Sequence, residues 1–249
     1  MIGYLASALA AGAATFAGMH TMVPWSQLYG KNFNGVREGT KILALTYDDG
    51  PNDPWTMKLL DVLAKHQAQA TFFMLGKYVR QRPEIARAVH EAGHAIGNHS
   101  FSHPNLIFCS AARVRQEIED TNEAIFDATG QRPYLFRPPF GGRRPGTFKL
   151  VQSMNLQPVM WRVTCFDWSA KSTDQIMGHV HRQTAGGEVI LLHDGGHLRM
   201  GEDRSRTVEA TDRILTEYKD HGYMFVNVHE MLQMRPEAEL PFNAPKLGR

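Results

Sequence analysis

Two adjacent carboxylates, Asp48 and Asp49, end an apolar run, and two histidines four positions apart, His99 and His103, follow about fifty residues later. One acid and two imidazoles form a three-ligand set for a divalent metal, with a further position left for water. The other acid then stands beside the ion, where a general base is wanted. Adjacent carboxylates repel each other unless a cation is near. Each half of the pattern has a plainer reading. Asp-Asp-Gly-Pro alone suits an acidic surface turn. A His-x3-His pair alone suits capping or solvated histidines. Together they favour a metal, and the i, i+4 spacing predicts both imidazoles on one face of a helical turn.

Further polar residues follow other apolar runs. Arg137 opens Arg137-Pro138-Pro139-Phe140-Gly141. The prolines stiffen this loop, Arg137 offers a cationic fork for a carboxylate, and the Phe140 N–H is placed as an oxyanion donor. Its plainer reading is a rigid connector with a surface arginine. Phe166-Asp167-Trp168 brings an indole whose face suits either a sugar ring or core packing. His193 ends Leu191-Leu192-His193 and is a candidate general acid, with a carboxylate tuning its protonation. His66, His90, His179 and His181 carry only structural readings, and His197, in the glycine turn after His193, stands where it could line the pocket but is assigned no role.

The elements that must position these residues follow from patterning. Strand-like runs occur at Ile42–Tyr47, Ala70–Leu75, His94–Asn98, Tyr134–Arg137, Gln157–Val163, Glu188–His193 and Tyr223–Val228. Helical patterns lie between them, at Trp55–His66, Glu84–Ala92, Ala111–Thr129, Thr147–Met154, Thr173–Thr184 and Ser205–His221. Pro54 and Pro83 stand near helix starts, and Gly93, Gly130 and Gly222 just past helix ends. Strands alternating with helices predict an α/β fold with a parallel sheet, closed or nearly closed into a barrel. Asp48, Asp49, His99, Arg137, Asp167 and His193 then all fall at the C-terminal ends of strands, the one face of such a barrel where different strands converge.

Composition narrows the function. The chain has 249 residues, 43% hydrophobic and 21% charged, with a formal net charge of +2, enough for one core and too balanced to suggest nucleic acid. Met1 to Gly30 contains no Asp, Glu, Lys or Arg. Its Ala/Gly-rich stretch, residues 2–19, suits a signal peptide or short membrane anchor, hence an exported, periplasmic, extracellular or membrane-anchored protein. A loosely packed helix on the barrel is the alternative, and a cytoplasmic location stays open. Residues 1–40 are thus an apolar segment and lead-in, 41–235 a single catalytic domain, and 236–249 a proline-containing tail. Cys109 and Cys165 permit one disulfide, but two free, mostly buried thiols are favoured.

In order and spacing, these segments resemble the polysaccharide deacetylase family with the NodB homology domain, carbohydrate esterase family 4. The likeness spans roughly Lys41 to Leu232. It implies a distorted (β/α)7 barrel and a metal-dependent hydrolase that removes N-acetyl groups from amino sugars of a glycan such as peptidoglycan or chitin. It also assigns roles. Asp48 would be the base, Asp49, His99 and His103 the metal ligands, Arg137 the residue holding Asp48, and His193 the acid, tuned by Asp167. Phe140, Trp168 and Leu191 would line the substrate groove and acetyl pocket. Zinc suits an Asp/His2 set, with cobalt or another first-row ion also acceptable. Three positions depart from the family pattern: Tyr47 for the usual Phe, Phe140 for the common Tyr, and Thr164 for an additional Asp. An O-acetyl sugar esterase, a small-molecule amidase on the same scaffold, or a glycan-binding protein on a decayed barrel are the competing expectations.

Overall fold

A computed structural model describes residues 15–235. The expected apolar segment therefore lies outside the described residues up to position 14, and the tail after Arg235 lies outside them too. Residues 15–22 are helical, with Phe16 and Met19 exposed. Among the described residues, no helix is long and apolar enough to cross a membrane.

Eight short strands form one curled sheet: β1 (Ile42–Gly50), β2 (Thr71–Met74), β3 (Ala95–Asn98), β4 (Leu135–Phe136), β5 (Gln157–Pro158), β6 (Val163–Thr164), β7 (Val189–His193) and β8 (Met224–Phe225). Their order is β5-β4-β3-β2-β1-β7-β6, and β8 pairs with the first two residues of β1. Every strand pair is parallel. This is the expected distorted (β/α)7 barrel, with its open seam between β5 and β6.

The seam corrects one expectation. Gln157–Val163 is two strands, not one, because Met160, Trp161 and Arg162 leave the sheet to carry the chain from one edge to the other. Pro158, which lacks an N–H, suits such an edge. The lead-in segment bridges the gap. Phe33 N–H donates to Pro158 O, Met160 N–H to Phe33 O, and Val189 N–H to Asn34 O.

Strand alternation sorts side chains into two layers. On β1, Leu43, Leu45 and Tyr47 pack outward against the helices, while Ala44 joins the barrel interior with Phe73, Val159, Val189 and Leu191. Parallel strands covered on both faces are buried throughout, so the sequence reads as apolar runs. The same alternation places Thr46 and Asp48 with Ala44, and His193 with Val189 and Leu191. The inward polar residues thus sit on top of an apolar plug.

The helices follow the expected pattern closely, at Trp55–Lys65, Pro83–Glu91, Ala111–Thr129, Thr147–Ser153, Thr173–Gln183 and Ser205–Asp220. Besides the helical residues 15–22, two short helices are additional. Gly76–Gln81 is too brief to show periodicity. Val228–Gln233 displaces the expected end of the Tyr223–Val228 strand, because Asn227 and Glu230 cap each other's backbone N–H groups there. Both cysteines are free, Cys165 buried and Cys109 half-buried.

Candidate active site

Neighbouring side chains on a regular strand point to opposite faces. Asp48 and Asp49 nevertheless reach the same place. The β1–β2 register slips between Asp48 and Gly50, and Asp49 adopts a φ of 73°. This is a bulge that turns the second carboxylate toward the barrel mouth. The backbone around it is tight. A Cβ added at Gly195 would lie 2.2 Å from the Asp49 carbonyl oxygen, so only glycine allows that approach.

His99 and His103 arrive by a different local structure from the one expected. They lie on an irregular turn, not a helical one, with Ser100 at φ 69° and His103 at φ 62°. Pro104 disfavours the helical region for His103. Side chains supply the bonds that a helix would have made. Asn98 Oδ1 accepts from Ser100 N–H at 2.8 Å. Glu117, buried on the Ala111–Thr129 helix, accepts from the N–H groups of Phe101 (2.8 Å) and Ser102 (2.7 Å) and from the Ser102 hydroxyl (2.7 Å). Sequence reasoning assigned nothing to Glu117; it is one of five acids on a long helix, and nothing local marks it as the one that turns inward to hold a loop. Glu117→Ala is expected to weaken zinc binding about 10–100-fold, the usual cost of losing a residue that orients ligands. Competition with a chromophoric chelator measures this.

The three candidate ligands converge. Asp49 Oδ1 lies 3.6 Å from His99 Nε2 and 3.2 Å from His103 Nε2. One donor atom from each of the three residues falls within 4.8 Å of the others. Bond lengths of about 2.0–2.2 Å at tetrahedral angles put ligand atoms about 3.3 Å apart, so one ion fits between them. Two more observations favour an ion. Asp49 Oδ1 is buried with no hydrogen-bond donor. His99 Nδ1 donates to the Arg137 carbonyl oxygen at 2.8 Å, which leaves the Nε2 lone pair facing Asp49. Burial alone would push the Asp49 carboxyl up, but His197, His103 and His99 together hold it well below the usual range. Burial, with His99 adding repulsion, pushes the His103 imidazole down to about 3, which keeps it neutral and able to bind a metal.

Asp48 is held by its other oxygen. Wholly buried Arg137 donates from Nη1 to Asp48 Oδ1 at 2.7 Å and to the Thr46 hydroxyl at 2.7 Å. Its guanidinium lies 4.1 Å from the Phe73 ring centroid and 5.4 Å from that of Trp161. The expected fork is thus shared between one carboxylate oxygen, a hydroxyl and backbone carbonyls. Asp48 Oδ2 is left facing His99 Nε2 at 3.7 Å. Arg137 therefore fixes both sides of the site, Asp48 through its side chain and His99 through its carbonyl.

Across the mouth, Asp167 grips His193 twice. Its Oδ1 accepts from Nδ1 at 2.9 Å, and its Oδ2 accepts from the His193 backbone N–H at 2.8 Å. The Thr207 hydroxyl donates to Oδ2 at 2.9 Å. Burial disfavours imidazolium, but the adjoining Asp167 carboxylate outweighs it, and Asp49 and Asp48 add to the pull. His193 is raised to about 9 in the metal-free site. Asp167 itself is held low by His193 and Thr207 against the effect of burial.

Around these groups, Trp168 is 45% exposed and meets His193 edge-on at 5.0 Å. Phe140, at φ 58°, is 46% exposed and meets His103 at 4.5 Å. Both rings are therefore open to a ligand. Leu191 is buried, among the apolar residues under the mouth. The departures from the family pattern are accommodated. The Tyr47 hydroxyl is satisfied by Thr211 at 2.9 Å, behind the sheet. Thr164 accepts from the Trp161 indole N–H at 2.8 Å.

The chain matches the family model described as polysaccharide deacetylase over residues 35–159. It is 37% identical over 202 residues to a peptidoglycan-N-acetylglucosamine deacetylase of Bacillus cereus, covering 80% of this chain and 92% of that protein. The chain belongs to the polysaccharide deacetylase family, carbohydrate esterase family 4. A chitooligosaccharide deacetylase of Rhizobium leguminosarum bv. trifolii is 35% identical over 197 residues, covering 77% of this chain and 92% of that one. The crystal structure of the Bc1960 peptidoglycan N-acetylglucosamine deacetylase superposes with a TM-score of 0.77 at 35% identity, covering 86% of this chain and 98% of that one. The family also contains a Bacillus anthracis pseudoenzyme, similar at a TM-score of 0.73 and 30% identity over 80% of this chain and 67% of that one. Fold likeness alone therefore does not separate active from inactive members; the side chains of the site do.

Proposed function

We propose that this deacetylase removes N-acetyl groups from amino-sugar residues of a glycan, using one divalent ion, zinc, held by Asp49, His99 and His103. The observation that carries the reading is the buried, donor-free Asp49 Oδ1 facing two imidazole Nε2 atoms. Such an ion supplies Lewis acidity, polarising the amide carbonyl and acidifying water beside it. The protein supplies the proton transfers. Asp48, anchored through Oδ1, takes a proton at Oδ2. His193, whose Nδ1 is committed to Asp167, delivers a proton from Nε2 to the departing amine, which otherwise would have to leave as an anion. The Phe140 N–H serves as an oxyanion donor. Trp168 and the Phe140 ring offer faces for sugar rings, and Leu191 lies beneath the acetyl position.

The pH profile follows. The acid must be protonated, so kcat/KM falls as pH rises through the His193 value. A bound divalent ion offsets the pull of Asp48 and Asp49, so the loaded enzyme titrates below the metal-free value of about 9. Asp167→Asn removes the largest attraction on the imidazolium. It is expected to move the alkaline limb to lower pH by at least about one unit. An unmoved alkaline limb would remove His193 from the acid role.

The polymer is tested by acetate release from peptidoglycan fragments, chitooligosaccharides and O-acetylated xylan, with zinc added. Release from an N-acetylated glycan is the expected result. Release from xylan alone would favour the O-acetyl esterase alternative, and no release from any substrate would contradict the reading. The uncharged stretch from Met1 to Gly30 supports export or anchoring as part of this proposal. Cell fractionation of the full chain tests it.

A further inference from the structure

His197 lies outside the ligand set, yet three features bring its ring to the metal site. The ring stacks on His103, with centroids 4.4 Å apart and planes 20° from parallel. Its Nδ1 lies 3.8 Å from Asp49 Oδ2, the oxygen other than the one facing His99 and His103. Phe140 closes against it from a third direction, at 5.4 Å.

This placement is built by the loop. Three consecutive carbonyls each accept from a different side chain. Gly195 O takes Arg204 Nε at 2.8 Å, Gly196 O takes the Tyr78 hydroxyl at 3.1 Å, and His197 O takes Lys77 Nζ at 2.6 Å. Arg204 is itself buried and paired with Glu202 at 2.9 Å. A loop free to move would not carry three such restraints on successive residues. The donors come from two separate parts of the chain, so the ring position is fixed from more than one side.

We infer that His197 is a positioning residue of the metal centre: it steadies the Asp49 carboxylate from outside and covers the His103 ring, and so tightens the hold on the ion. This rests on the proposal that Asp49, His99 and His103 bind a metal. Ligating carboxylates are commonly held by such outer partners, and losing one weakens metal binding about 10–100-fold. The role needs a nitrogen near Asp49 Oδ2. Asn presents its amide nitrogen about where the histidine Nδ1 stands, whereas Ala presents nothing.

The test is zinc affinity, by competition with a chromophoric chelator, for the native chain, His99→Ala, His197→Ala and His197→Asn. His197→Ala is expected to raise the zinc Kd about 10–100-fold, and His197→Asn to recover most of the loss. The zinc-induced rise in Tm shrinks in the same order, while the metal-free Tm of His197→Ala matches the native value. The Co2+ absorption bands at saturation keep their positions in His197→Ala, because the inner ligands are unchanged. Native affinity in His197→Ala, with binding lost in His99→Ala, would overturn this inference and leave the metal reading standing. Altered cobalt bands would make His197 an inner ligand and overturn it differently. A native chain that binds no zinc would remove both readings.

Discussion

Asp48→Asn is expected to bind zinc as the native chain does and to lose about 10²–10⁴ in kcat, the usual range for removing a general base. The substitution keeps the shape, and an oxygen can still accept from Arg137 Nη1. None of the three ligands is touched. What disappears is the proton acceptor at Oδ2, 3.7 Å from His99 Nε2. Zinc titration and acetate release on one preparation separate the two effects. Loss of zinc from this variant would mean that Asp48, not Asp49, is the ligand.

Arg137→Met is expected to damage both stability and turnover. Met fills much of the space between Phe73 and Trp161 but leaves the buried Asp48 carboxylate without its cation. Removing one partner of a buried ion pair costs about 3–5 kcal/mol. The Thr46 hydroxyl and the Val159 and Met160 carbonyls lose a donor as well. Denaturant unfolding measures the stability loss. Turnover is expected to fall at least about 10²-fold, because the base is no longer held in place. The His99–Arg137 carbonyl bond survives, so zinc affinity falls much less than in Glu117→Ala. A stable, active Arg137→Met would contradict the positioning role.

Much of the site was legible because strand ends are legible. Apolar runs followed by Asp48, His99, Arg137 and His193 put those residues at one end of a parallel barrel, and each stands there. What the sequence did not reveal depends on backbone conformation or distant contacts. A regular strand separates Asp48 from Asp49, and nothing local announces the bulge that reunites them. The His99–His103 spacing reads as helical, yet Pro104 and the Glu117 side chain impose a different turn. Glu117 and Lys77 act on loops to which no pattern ties them. The Val228–Gln233 helix, by contrast, carried a readable signal in Asn227 and Glu230, a capping box. The split of Gln157–Val163 follows from the open seam, a property of the whole sheet and not of that segment.

The most direct test is to crystallise the zinc-loaded protein and collect anomalous scattering at the zinc edge. One ion is expected between Asp49, His99 and His103, bonded to Oδ1 and the two Nε2 atoms at about 2.0–2.2 Å, and removing it should abolish acetate release until zinc is returned. An ion bound elsewhere, or full acetate release from protein shown to be free of metal, would contradict the account.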